Sequence, residues 1–133
     1  MNIERTRQYY AGLSEADFCT CEYCQTYRKR IRAELPRVAA LLDSFGVDIA
    51  KPFEVLPLYE EENYLVYTGA QYVLMGSAEG FERVEIDGAE VDGAEVAGVV
   101  LAVTDSHPAV EVEEECFVIE LEKRDLLRLQ RIG

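Results

Sequence analysis

Pro36-Arg37-Val38-Ala39-Ala40-Leu41-Leu42-Asp43-Ser44-Phe45-Gly46-Val47-Asp48-Ile49-Ala50-Lys51-Pro52-Phe53-Glu54-Val55-Leu56-Pro57-Leu58-Tyr59 changes its hydrophobic rhythm partway along. In its first half, Val38, Leu41, Leu42 and Phe45 recur at i, i+3, i+4 and i+7, the spacing of one face of an α-helix. Pro36 suits the first turn of that helix, and Gly46 is a good stop. From Pro52 the period drops to two. Phe53 to Tyr59 then reads as a strand, and Pro57, which has no N–H to give a neighbour, assigns it to a sheet edge.

Toward the amino end the helical rhythm continues. Tyr23, Tyr27, Ile31 and Leu35 fall on one stripe, with Arg28, Lys29, Arg30 and Arg32 between them. Asp17 or Thr20 can cap this helix, and Pro36 must break it. A shorter helix fits Ile3 to Tyr10. Toward the carboxyl end the β rhythm continues. Tyr64 to Tyr67 and Gln71 to Met75 read as strands, with Thr68-Gly69 between them as a hairpin turn or a bulge. Glu82 to Ile86 alternates charged and apolar residues.

Asp-Gly-Ala-Glu-Val occurs twice in succession, at 87–91 and 92–96, and reads as tight turns flanking a short strand. Val96 to Val103 and Cys116 to Glu122 are the most apolar strands and belong in the sheet interior. Ser106-His107-Pro108 marks a turn between them. Leu126, Leu127, Leu129 and Ile132 suit a final short helix or strand equally.

Helices first and strands afterwards is segregation, not βαβ alternation. It predicts an α+β fold, with N-terminal helices packed on one face of a mostly antiparallel sheet of about five to seven strands. A barrel or sandwich with a helical prefix is the alternative. One domain over 1–133 is expected, helical over roughly 1–48 and β over roughly 52–122.

Apolar residues make up 49% and charged residues 29%, as in a folded globular chain. The net charge of −13 is unevenly spread. Residues 1–51 carry eight Lys/Arg against seven Asp/Glu, whereas residues 52–122 carry Arg83 alone against eighteen acidic side chains. From Lys123 onward four basic residues face one acidic. The acidic block repels polyanions, so nucleic acid is excluded as a partner and a basic protein or a divalent cation is favoured. The charged start gives no signal peptide, and no apolar run approaches the roughly 20 residues of a membrane span. A cytoplasmic, thiol-reducing location is expected.

Three of the four cysteines fall in Cys19-Thr20-Cys21-Glu22-Tyr23-Cys24. Placed at the start of a helix, three thiolates repel one another unless a cation sits among them, and Zn²⁺ takes such ligands tetrahedrally. Cys116 is the expected fourth ligand, with His107 and Asp17 as alternatives. A thioredoxin-like reading of Cys21–Cys24 lacks the preceding strand that fold requires. No catalytic triad or phosphate-binding loop is present; the lone histidine sits in a turn, and the runs Glu60–Glu62 and Glu113–Glu115 read as surface charge. The expected function is therefore a non-enzymatic binding or interaction module with a Cys-rich structural zinc site. An immunity- or antitoxin-type protein that neutralises a basic partner is one alternative; a thiol-redox or zinc-dependent enzyme is the other.

Overall fold

The computed structural model describes residues 1–86, 90–91, 94–95 and 98–132. Three helices come first: α1 (Ile3–Ala11), α2 (Glu22–Glu34) and α3 (Pro36–Ser44). The strands follow: β1 (Glu54–Glu60), β2 (Tyr64–Met75), β3 (Val84–Ile86), β4 (Glu90–Val91), β5 (Ala94–Glu95), β6 (Val99–Thr104) and β7 (Cys116–Gln130). Five of them form one antiparallel sheet in the order β1-β2-β7-β6-β3, and β4 pairs with β5 in a second, two-stranded sheet. The fold is α+β, as the switch of period requires. Among the described residues no helix is long and apolar enough to cross a membrane.

The helices lie on one face of the sheet. Tyr27 and Ile31 of α2 and Leu42 of α3 are fully buried, in one cluster with Tyr72, Leu74, Leu101, Ile119 and Leu121. Each fully buried side chain of the Ile or Leu class contributes about 1.5–3 kcal/mol. Tyrosine hydroxyls in this core are all matched. Tyr27 donates to the Tyr72 oxygen at 2.5 Å, and Tyr72 donates to Ile49 O at 2.8 Å. At Gly46, with φ +84°, a Cβ would come within 2.7 Å of Ile3 O, so the end of α3 meets α1 where only glycine fits.

β2 is longer than β1, and α1 takes over where β1 has not yet begun. Phe53 N–H donates to Gln71 O. Farther along the same edge, Tyr10 Oη donates to Val73 O at 2.8 Å, and Thr6 Oγ1 accepts from Met75 N–H at 3.0 Å. Asn2 N–H donates to Met75 O at 2.8 Å, and the Asn2 side chain caps α1 through Arg5 N–H. The helix thus supplies hydrogen bonds that a neighbouring strand would have made.

The segments read from the sequence as two strands, 64–67 and 71–75, are one. Thr68 is an extra residue opposite β1, where the register passes from Leu56↔Gly69 to Pro57↔Tyr67. It switches the inward parity from Leu65 and Tyr67 to Ala70, Tyr72 and Leu74. The hairpin reading of Thr68-Gly69 is thereby corrected to the bulge. Opposite it, β7 bulges over residues 123–126 between Glu122 and Leu127, with Leu126 at φ +73°. β7 then resumes to Gln130, so the carboxyl-terminal leucines are strand, not helix. Val110 and Val112 stay outside the sheet and pack against Val73, Met75 and Val118, on the face away from Phe117 and Ile119. Of the repeated Asp-Gly-Ala-Glu-Val, the pairing Glu90↔Glu95 and Val91↔Ala94 is described. Both Asp-Gly turns, and Val96 of the expected Val96–Val103 strand, lie outside the described residues.

A candidate metal centre at the start of helix α2

The thiol segment is held from both sides. Upstream, Ser14 and Asp17 bracket a short 3₁₀ turn, in which Asp17 Oδ2 accepts from Ser14 N–H at 2.7 Å. Downstream, Arg28 reaches back from the second turn of α2. Its guanidinium donates to both Glu15 carboxylate oxygens at 2.8 and 3.1 Å and to Ala50 O at 2.8 Å. It also stacks on the Phe18 ring at 3.8 Å. One side chain therefore fastens the loop before the cysteines to the helix after them.

Cys21 is the N-cap of α2. Its Sγ accepts from Cys24 N–H at 3.4 Å, and Cys19 Sγ accepts from Cys21 N–H at 3.4 Å. A sulfur thus stands where Ser or Asp usually satisfies the free amides of a first helical turn. The three Sγ atoms lie within 4.8 Å of one another. Tetrahedral Zn–S bonds of about 2.3 Å place sulfurs roughly 3.8 Å apart, so a small closing movement would suit such an ion. All four thiols are free, Cys19 and Cys21 exposed and Cys24 half-buried.

The three sulfurs do not share charge evenly. Burial pushes the Cys24 thiol far above its ordinary value, and its hydrogen bonds and charge repulsion with Cys21 and Cys19 push it further. At Cys21 burial opposes ionisation, but the Cys24 N–H, the Cys19 and Cys24 thiols and the Tyr23 N–H outweigh it, and the thiol is lowered. Without a cation Cys21 at the cap ionises more readily than an ordinary thiol, and Cys24 holds its proton more tightly. A bound divalent ion would reverse the balance at Cys24.

Tyr67 forms the floor. Fully buried, it donates to Tyr23 O at 2.6 Å and meets the Tyr23 ring edge-on at 5.7 Å. Burial raises its phenol, and the charges of Cys24 and Cys21 add to the shift. Beside the cap, the Glu22 carboxylate accepts from Arg131 at 2.6 and 2.9 Å, and Arg131 also donates to Glu61 O at 3.1 Å.

Among the described residues, the structure brings Cys19, Cys21 and Cys24 together and leaves the other expected ligands outside the group. Cys116 opens β7 opposite Met75 and packs in the cluster of Val73, Met75 and Val118. Strand alternation turns it away from the face that the helices cover. Burial raises its thiol. His107 sets its Nδ1 2.7 Å from Pro108 O and its ring edge against Phe53. Asp17 is engaged with Ser14 but lines a cavity of about 210 Å³ with Cys19, Cys24, Arg28 and Phe53. Tyr67 and Arg131 escape a sequence reading because they reach the site only through the sheet. Arg28 had a local signal, lying one helical turn beyond Cys24.

Scanned against protein-family models, curated proteins and solved structures, the chain matches none of them.

Proposed function

We propose that this protein is a non-enzymatic binding module whose amino-terminal thiols hold Zn²⁺ and whose acidic body engages a basic protein partner. The observation that carries the metal reading is the convergence of Cys19, Cys21 and Cys24 Sγ atoms within 4.8 Å at the cap of α2. Zinc would draw the loop onto the helix start, offset the crowding of thiolates and rigidify the segment that Arg28 already tethers. The partner reading is supported by the charge: 26 acidic against 13 basic side chains attract a basic surface and repel nucleic acid. Free thiols stay reduced in the cytoplasm, which is why a cytoplasmic location accompanies the proposal.

Metal analysis of tag-free, chelator-washed protein by mass spectrometry tests the site. The expected content is about one equivalent of zinc, lost with proton uptake at low pH. Cys21→Ser and Cys24→Ser are expected to abolish retention, whereas Cys116→Ser leaves it unchanged. Zinc below about a tenth of an equivalent, also after reconstitution, would remove the metal reading. The partner reading is tested separately by salt-dependent association with basic proteins, expected to weaken steeply as salt rises.

A further inference from the structure

Resting on the zinc reading, the geometry raises the question of the fourth ligand. Structural zinc takes four, commonly Cys₄, Cys₃His or Cys₂His₂. This chain brings three together, and no further His, Cys, Asp or Glu among the described residues joins the group. The only histidine in the sequence is His107, placed against Phe53 and Pro108 O. Cys19 and Cys21 are exposed, so the described residues leave one side of the cluster open.

Cys19 and Cys24 also line the cavity of about 210 Å³. Pockets for whole small-molecule ligands run from about 300 Å³ upward, so this one suits a single side chain better than a substrate. Phe18 and Phe53 provide apolar walls, and Asp17 and Glu54 line it as well. Arg28 adds little free positive charge there, because Glu15 already pairs with it. Three thiolates around Zn²⁺ leave one net negative charge. A fourth anionic ligand would raise that to two, beside further carboxylates and on a body of net charge −13. A neutral donor avoids the repulsion, and a neutral imidazole between aromatic walls is the side chain that does so.

We propose that the fourth coordination position is filled from outside the chain, by the imidazole nitrogen of a histidine carried on a basic partner segment. The acidic block of residues 52–122, which reaches the cavity through Glu54, draws the segment in, and the bond to metal fixes its register. A Cys₃His site completed across the interface would make partner binding and metal retention mutually reinforcing.

Cobalt(II) replacing zinc reports this directly, because its visible ligand-field bands depend on the donor set. Imidazole added to the cobalt-loaded full chain is expected to shift those bands and saturate; acetate is expected not to. A lysine-rich peptide with one central histidine should give the same shift at concentrations about tenfold lower, through the added charge attraction. The same peptide with that histidine replaced by alanine should give none. Cobalt that binds but does not respond to imidazole overturns this inference and leaves the zinc reading standing. A four-sulfur spectrum before any addition overturns it as well. Failure of cobalt and zinc to bind at all overturns both.

Discussion

Arg28 satisfies a carboxylate, a backbone carbonyl and an aromatic face at once, and only 17% of its side chain is exposed. Its planar fork matches Glu15, and its flat surface matches Phe18, so lysine cannot substitute for it. Because it positions the thiol loop without touching a sulfur in any described contact, its removal should act on metal affinity more than on the fold. Arg28→Ala is expected to weaken zinc or cobalt binding about tenfold, the usual effect of losing a supporting partner, with only a few degrees' change in Tm. Competition against a chromophoric chelator measures this. Unchanged affinity would mean that the loop is fixed by other contacts. The cysteine spacing alone pointed to the three thiols, since they are neighbours along the chain. The fourth ligand was not legible in the same way: Cys116 is assigned to its face by the phase of β7, a property of sheet register, not of spacing.

The paired bulges at Thr68 and at residues 123–126 show how an element can be longer than its pattern. Each half of β2 alternates correctly, but Thr68 inverts the phase between them, and a phase inversion in a sequence looks the same as a turn. What resolves it is Gly69, where a Cβ would lie 1.7 Å from Leu121 O. No side chain fits unless the two central strands separate. Gly69→Ala is therefore expected to cost about 3 kcal/mol, read as a lower denaturation midpoint with circular dichroism of native shape at low denaturant. A cost near zero would mean that the bulge relaxes freely. The helices were legible because Tyr23, Tyr27 and Ile31 repeat without a phase change over α2, and Pro36 marks its end in any context. Val110 and Val112 alternate like a strand yet lie off the sheet, because period reports one buried side and not a hydrogen-bonded neighbour.

Across the molecule, the basic residues near the carboxyl end fold back onto acidic ones: Arg124 on Glu85, Arg128 on Glu61 and Arg131 on Glu22. The first two pairs are exposed and the third is half-buried; exposed pairs are screened by salt and contribute little to stability. The buried tyrosines bear more directly on it. Burial raises the phenols of Tyr10, Tyr27 and Tyr72 above their ordinary value, since an ionised ring there would be cut off from water. A group raised on folding contributes its full stabilisation below the unfolded-chain value of about 10 and loses it as pH climbs toward the folded one. Stability is therefore expected to fall above about pH 10, with tyrosinate absorbance from these rings appearing together with loss of helical circular dichroism. Ionisation of every tyrosine in a chain that stays folded would contradict this. The strand order β1-β2-β7-β6-β3 has one more consequence, in time. The strand that joins the β1-β2 half to the β6-β3 half is the one the ribosome makes after both. Until Cys116–Gln130 emerges, at a synthesis rate of about 5–20 residues per second, neither β2 nor β6 has the neighbour that joins the two halves of the sheet. Glu22, the residue after the Cys21 cap, likewise gains its partner Arg131 only once that last strand has been made.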